Sequence, residues 1–289
     1  MGERIVFGGS TSQSLAREVA EEISAKIGEL TMKQFPDGER YLCVDVDVKG
    51  KDCVVIQSTS RPQDENIMEL LQILDTLKEN EAGKITVVVP YFGYGRQDKC
   101  FKSGENLTSK TISKHIELNC DEFYSINLHK KHILDFFKIP ARELDASPIL
   151  GEYFKTLELE APVVIGPDNG AERIAAGVAE ILKCPYDYLE KKRLGPGSVE
   201  MKPKKIDVAD KDVILVDDII DTGGTMVEAM KMLLAQGAAN ILIGTIHPVL
   251  TGNIISRLFA NGAADVVATN TINSQISYLT VSSLIAEAL

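Results

Sequence analysis

No two of the five cysteines stand at C-x-x-C spacing. Cys43, Cys53, Cys100, Cys120 and Cys184 are scattered and odd in number, which suggests neither a zinc site nor a disulfide framework. Packed, reduced thiols are expected, with Cys100 set apart in a polar loop. There is no run of about 18 apolar residues, so no segment reads as membrane-spanning. The start, Met1-Gly2-Glu3-Arg4-Ile5, lacks the apolar core of an export signal, and a cytoplasmic location is expected. Positive charge is also short: 31 Lys and Arg stand against 42 Asp and Glu, a net charge of −11. A non-specific nucleic-acid binder is usually basic, so none is expected here. Any phosphate must be met by backbone amides, a few placed cations or Mg²⁺. No G-x-x-x-x-G-K-[ST] is present, so there is no Walker A loop.

What the chain does have is alternation. Its 289 residues allow two domains at about 100–200 residues each. Arg4–Phe7 reads as a strand. Leu15 to Ile27 reads as a helix with Leu15, Val19, Ile23 and Ile27 on one face and Gly28 as its stop. Cys53–Ile56 and Ile85–Val89 read as strands around an amphipathic helix at Glu65–Lys78. The second half repeats the pattern. Strands are expected at Pro162–Ile165, Val213–Val216, Ile241–Ile246 and Asp265–Thr269, and helices at Ala171–Leu182, Met226–Gln236 and about Ile254–Phe259. Such alternation implies an α/β fold of two similar domains, each a mainly parallel sheet flanked by helices. The apolar pattern lapses near Ala141–Ser147, between Pro140 and Pro148, which puts the domains at 1–142 and 143–289.

The densest local signal is Val213-Ile214-Leu215-Val216-Asp217-Asp218-Ile219-Ile220-Asp221-Thr222-Gly223-Gly224-Thr225. An apolar strand runs into two carboxylates, then a Gly-Thr loop, then a helix. In open parallel sheets, ligands bind at the carboxyl ends of strands. Glycines let backbone amides approach a phosphate, and the helix start adds partial positive charge. Carboxylates there repel a bare triphosphate but suit sugar hydroxyls or a ligand-borne Mg²⁺. A sugar phosphate therefore fits the loop better than a nucleoside triphosphate. The segment resembles the 5-phosphoribosyl 1-diphosphate loop shared by type I phosphoribosyltransferases and ribose-phosphate diphosphokinases. The resemblance implies that Asp217 and Asp218 hold ribose hydroxyls and that Asp221, Thr222, Gly223, Gly224 and Thr225 cradle the 5-phosphate.

Other segments separate the two families. Phe35-Pro36-Asp37-Gly38-Glu39 offers an aromatic face and two acceptors. Alone it reads first as a hairpin turn with solvated acids. It is similar to the adenine-binding segment of the diphosphokinases, which implies that Phe35, Asp37 and Glu39 serve an ATP site shared with a neighbouring subunit. Pro90 to Asp98 lacks the third glycine of a dinucleotide fingerprint but resembles the diphosphokinases' ATP stretch, implying roles for Arg96, Gln97 and Asp98. His129 follows an apparent strand. A lone histidine there is more often structural, and the resemblance assigns it to Mg²⁺-ATP. The family pattern has Asp at 127 and Gln at 132, where this chain has Asn127 and His132. Asp168, in Gly166-Pro167-Asp168-Asn169-Gly170, is either a helix cap or, by resemblance, a contact to Mg²⁺ or ribose phosphate. Glu190-Lys191-Lys192-Arg193 precedes Gly195-Pro196-Gly197. A cation run is usually a solvated face, but beside phosphates it can close as a lid. The resemblance makes Lys191 and Arg193 the catalytic pair.

The resemblance runs over about residues 4–289 with the motifs in the family's order. It implies a phosphoribosyltransferase-like fold, a homo-oligomer, and transfer of the diphosphoryl group of Mg²⁺-ATP to ribose 5-phosphate. A phosphoribosyltransferase consuming the same product is the rival enzyme, which the Phe35–Glu39 and Arg96–Asp98 segments argue against. The rival of another class is a non-catalytic subunit. Loss of His129 or of the lid cations would mark it, and both are present.

Overall fold

The computed structural model describes residues 3–195, 198–203 and 206–289, and over 191–203 the backbone alone. The chain divides into two units: Met1–Asp145 with Thr271–Asn273 and Thr280–Leu289, and Ala146–Asn270 with Ser274–Leu279. Sequence reading left residues 271–289 wholly with the second half. The structure instead returns two short stretches to the first.

Unit 1 begins with β1 (Arg4–Gly8), α1 (Gln13–Glu22) and β2 (Lys26–Ile27). It continues through a hairpin, β3 (Leu30–Gln34) and β4 (Arg40–Val44), to β5 (Asp52–Ile56), α2 (Gln63–Glu79), β6 (Lys84–Val89), α3 (Thr108–Ile116), β7 (Glu122–Ile126) and β8 (Ala141–Leu144). Six strands form one sheet in the order β2-β1-β5-β6-β7-β8, all parallel. Strands covered on both faces become continuous apolar runs, as Ile85 and Val87–Val89 of β6 do, each fully or almost fully buried. Leu70, Ile73, Leu74 and Leu77 of α2 pack into the same core as Phe7, Val55 and Phe123.

One expected helix is shorter than its apolar spacing suggests. α1 stops at Glu22. Ser24 takes φ +53°, and Lys26–Ile27 then pairs with β1 as a strand. Ile27 is half exposed. Gly28 is not a helix stop: a Cβ there would lie 2.1 Å from the Phe7 ring, so glycine is needed for close packing on that side chain.

Unit 2 holds α4 (Ser147–Lys155), β9 (Val163–Gly166), α5 (Glu172–Leu182), β10 (Tyr186–Gly195), β11 (Ser198–Pro203), β12 (Asp212–Ile220), α6 (Gly224–Ala235), β13 (Asn240–Pro248), α7 (Ile254–Ala260), β14 (Ala263–Thr269) and β15 (Ser277–Leu279). Its seven strands run β11-β10-β9-β12-β13-β14-β15. Only the β10–β11 pair is antiparallel. The core gathers Val163, Ile165, Val213, Leu215, Ile241 and Ile243 with Met230 and Leu233 of α6. The last helix, α8 (Ser282–Ala288), belongs to unit 1, where the Ser282 and Ser283 hydroxyls donate to Glu22 of α1. No described helix is long and apolar enough to cross a membrane.

Candidate active site

The strand expected at Val213–Val216 is longer than its apolar run. β12 keeps pairing with β13 as far as Ile220 opposite Pro248, so Asp217 and Asp218 lie within a strand rather than after one. The Asp218 N–H donates to Asp217 Oδ1 at 2.9 Å. Burial, then the adjacent Asp218 carboxylate, then Asp168, hold the Asp217 carboxyl well above the usual carboxylate range. Crowded negative charge of this kind is complementary to hydroxyl donors or to a cation.

The loop that follows is shaped by glycine. Gly223 takes φ +67°, and a Cβ there would stand 1.9 Å from the Ile254 side chain. α6 opens at Gly224, two residues before the expected Met226. The first amides of this 12-residue helix therefore lack intrahelical acceptors beside Thr222 and Thr225. Such unpaired amides are able to donate to an anion. On the neighbouring strand end, Asp168 Oδ1 accepts the Gly170 N–H at 2.7 Å. The capping role open to Asp168 is thus realised at a 3₁₀ turn, Asn169–Ala171. Its charge still reaches Asp217, so the ends of β9 and β12 form one acidic group.

In unit 1, Phe35–Glu39 is the tip of the β3–β4 hairpin, closed by Phe35 N–H to Glu39 O at 2.8 Å. Gly38 takes φ +96°. Phe35 is 51% exposed and meets Tyr41 edge to face. A cleft of about 570 Å³ lies beside the tip, lined by Gly38, Glu39, Arg40, Asp64 and Glu65 among others, a size that suits a small ligand.

The Pro90–Asp98 segment leaves β6 and turns at Tyr94, φ +62°. Gly93 is required because a Cβ would lie 2.2 Å from the Thr59 carbonyl. Thr59 Oγ1 in turn accepts the Gly93 N–H at 2.7 Å. Arg96 and Gln97 are exposed, and the Gln97 carbonyl accepts the Ser109 hydroxyl of α3 at 2.8 Å. His129 lies against the same turn: its Cβ would be 3.8 Å from a Cβ on Gly95.

The two departures from the family pattern have local reasons. Asn127 is buried at φ +36°, a backbone state Asn tolerates better than most residues. Its amide donates to Asp145 Oδ1 at 2.7 Å, which an ionised Asp could not do. His132 Nε2 lies 3.1 Å from Asp98 Oδ2, holding a buried residue of the segment that sequence assigned to ATP.

Sequence reading missed one group altogether. Glu69 of α2 is fully buried. It accepts from Ser10 N–H at 2.6 Å, Ser10 Oγ at 2.9 Å and Gln57 Nε2 at 3.0 Å, and it pairs with Arg40. Arg40 opens β4 directly after the hairpin tip, so this carboxylate anchors the tip to α2. Nothing in its local sequence distinguishes it from a solvated acid on an amphipathic helix. Removing one partner of a buried ion pair costs about 3–5 kcal/mol. Glu69→Ala is therefore expected to lower unfolding stability by about that amount, measured by urea titration.

Lys191 and Arg193 are positions of β10, opposite Met201 and Val199 of β11. Their side chains lie outside the described residues. Among the described residues, no three His, Cys, Asp or Glu side chains gather as a metal cage.

Residues 4–118 match the N-terminal domain of ribose phosphate pyrophosphokinase, and residues 132–273 match the phosphoribosyl transferase domain. The ribose-phosphate pyrophosphokinase of Methanothermobacter thermautotrophicus is 42% identical over 286 residues, 99% of each chain. That of Bacillus subtilis is 36% identical, over 98% of this chain and 92% of its own. The crystal structure of phosphoribosylpyrophosphate synthetase from Mycobacterium smegmatis superposes with a TM-score of 0.88 at 30% identity, covering 99% of this chain and 97% of that one.

Proposed function

Because this chain belongs to the ribose-phosphate pyrophosphokinase family and makes 5-phosphoribosyl 1-diphosphate, we propose that its donor is Mg²⁺-ATP and assign each substrate to named residues. Ribose 5-phosphate lies on the end of β12 and the loop after it. Asp217 and Asp218 accept from its ring hydroxyls. Gly223, Gly224 and Thr225 give amide donors, and Thr222 and Thr225 hydroxyls, to the 5-phosphate. ATP is served by unit 1: Phe35 stacks on the base, Asp37 and Glu39 accept from it, and Arg96, Gln97, Asp98 and His129 meet ribose and phosphates.

The O1 hydroxyl of the sugar attacks the β-phosphorus of ATP. The bond from that phosphorus to the α,β-bridging oxygen breaks, AMP leaves, and the O1 proton passes to water. Such transfers need alignment and charge neutralisation above all. Lys191 and Arg193 supply fixed positive charge as the diphosphoryl group passes between oxygens.

The donor set fits Mg²⁺. This ion binds through one or two carboxylates plus substrate phosphates and keeps several waters, so a ready-made protein cage is not required. When bound, it offsets charge on the β- and γ-phosphates. Asp168 provides the oxygen ligand it prefers. The imidazole of His129 suits the phosphates or a metal-bound water better than the ion itself. The exposed Phe35 on a hairpin tip supports a homo-oligomer in which that tip completes a second copy's ATP site. Five free thiols suit a reducing, cytoplasmic compartment.

The observation that carries this reading is the pairing, on one strand end, of crowded carboxylates with an amide-lined helix start. With ATP, Mg²⁺ and ribose 5-phosphate, AMP is expected to form mole for mole with the sugar diphosphate, and excess EDTA should stop it. Release of ADP in place of AMP would overturn the assignment of the donor chemistry.

A further inference from the structure

Four contacts tie the end of β12 and the phosphate loop to Leu250, Thr251 and α7. The Leu250 N–H donates to Ile220 O at 2.9 Å, and the Thr251 N–H donates to Asp221 O at 3.0 Å. These two bonds carry strand-like pairing past the end of β12. The Thr251 hydroxyl donates to Asp221 Oδ1. Arg257 of α7 donates from Nη1 to Thr222 O at 3.3 Å. Gly223 then lies flat against Ile254, with no room for a side chain.

Two of these contacts matter for an anion. A bare carboxylate within a phosphate loop repels its ligand, and Thr251 draws the Asp221 carboxylate into a hydrogen bond with the neighbouring segment. Arg257 acts on the peptide itself. The Thr222–Gly223 bond is trans, so its N–H points opposite to its C=O. Fixing the carbonyl on Arg257 fixes the direction in which the Gly223 amide donates. A flexible Gly-Gly loop would otherwise lose that direction to conformational freedom.

We propose that Thr251 and Arg257 are positioning residues for ribose 5-phosphate: they clasp the Asp221–Gly223 backbone so that its amides meet the 5-phosphate already aligned. Asp221 then anchors the loop and does not itself contact the phosphate. The proposal rests on the reading that residues 222–225 hold the 5-phosphate.

The test is steady-state kinetics with ATP and ribose 5-phosphate each varied, on Thr251→Val, Thr251→Ser, Arg257→Gln, Arg257→Lys and, for the underlying reading, Thr225→Val. Losing one hydrogen bond that orients a charged-ligand site is worth about tenfold. Thr251→Val and Arg257→Gln are expected to raise KM for ribose 5-phosphate about that much, with KM for ATP unchanged. Thr251→Ser and Arg257→Lys should recover most of the loss. If Thr225→Val raises KM for ribose 5-phosphate but Thr251→Val and Arg257→Gln do not, the clasp is wrong and the phosphate loop stands. If Thr225→Val leaves that KM unchanged, the loop assignment fails and the clasp with it. A fall in melting temperature with both KM values moved together would also overturn the positioning role.

Discussion

Alanine at Lys191 or at Arg193 is expected to lower kcat about 10²- to 10³-fold, the usual loss when one donor to developing charge is removed. KM for ribose 5-phosphate should stay nearly unchanged, because the proposed sugar-phosphate site is β12, its loop and the start of α6, not β10. The reason lies in the charge balance. The chain carries a net charge of −11, and the acceptor end of unit 2 concentrates Asp168, Asp217 and Asp218. A diphosphoryl group entering such a field needs added cations, and the Glu-Lys-Lys-Arg run of β10 supplies candidates. The double variant should lose little more than the worse single one if both cations serve one transition state. Initial rates with both substrates saturating, beside a ribose 5-phosphate titration, settle it. Wild-type turnover in either variant would remove that residue from the chemistry.

Asp217→Asn should separate stability from activity. Burial and the Asp218 charge raise the folded-state pKa of Asp217, so the folded chain holds this proton more tightly than the unfolded chain does. Stability from this group is present below the ordinary carboxylate range and is lost as pH rises through the raised value. Above the ordinary carboxylate range the Asp217 carboxyl thus weakens the ligand-free fold. Asn removes that penalty, and the ligand-free variant is expected to melt higher at pH 7, by roughly 2–4 °C for each kcal/mol relieved. The gain should shrink as pH falls towards the ordinary carboxylate range. Activity should move the other way. A hydrogen bond to a charged group is worth about 1.5–3 kcal/mol, so kcat/KM for ribose 5-phosphate is expected to fall about 10- to 100-fold. Melting curves from pH 4 to 8 without ligand, paired with kinetics, test both halves. A variant less stable at pH 7 would contradict the charge-crowding account.

The residues proposed for each substrate stand in short contiguous motifs, which is why sequence alone can nominate them. Asp217 to Thr225 is contiguous, and a buried strand running into acids and glycines states its own chemistry. Phe35–Glu39 was readable as a hairpin tip for the same reason. The helix drawn through Ile23 and Ile27 was misjudged because a 3.6-residue spacing of apolar residues does not show where one residue turns left-handed, as Ser24 does. The extent of β12 was underestimated because polarity changes at Asp217 while backbone pairing with β13 continues to Ile220.

Local sequence thus dictated what depends on neighbours in the chain: the alternating α/β pattern, the parallel sheets, the Gly-Thr loop after β12 and the hairpin tip at Phe35–Glu39. Folding decided what depends on partners far along the chain. It buried Glu69 beneath the hairpin through Ser10, Gln57 and Arg40. It gave Asn127 its partner in Asp145 and His132 its partner in Asp98. It returned residues 280–289 to the first unit, and it laid Thr251 and Arg257 against the loop that ends β12. Spacing and composition report which faces are apolar. They carry no record of which polar atoms, dozens of residues apart, come within hydrogen-bond distance, because each such pairing is set by the packing of whole elements.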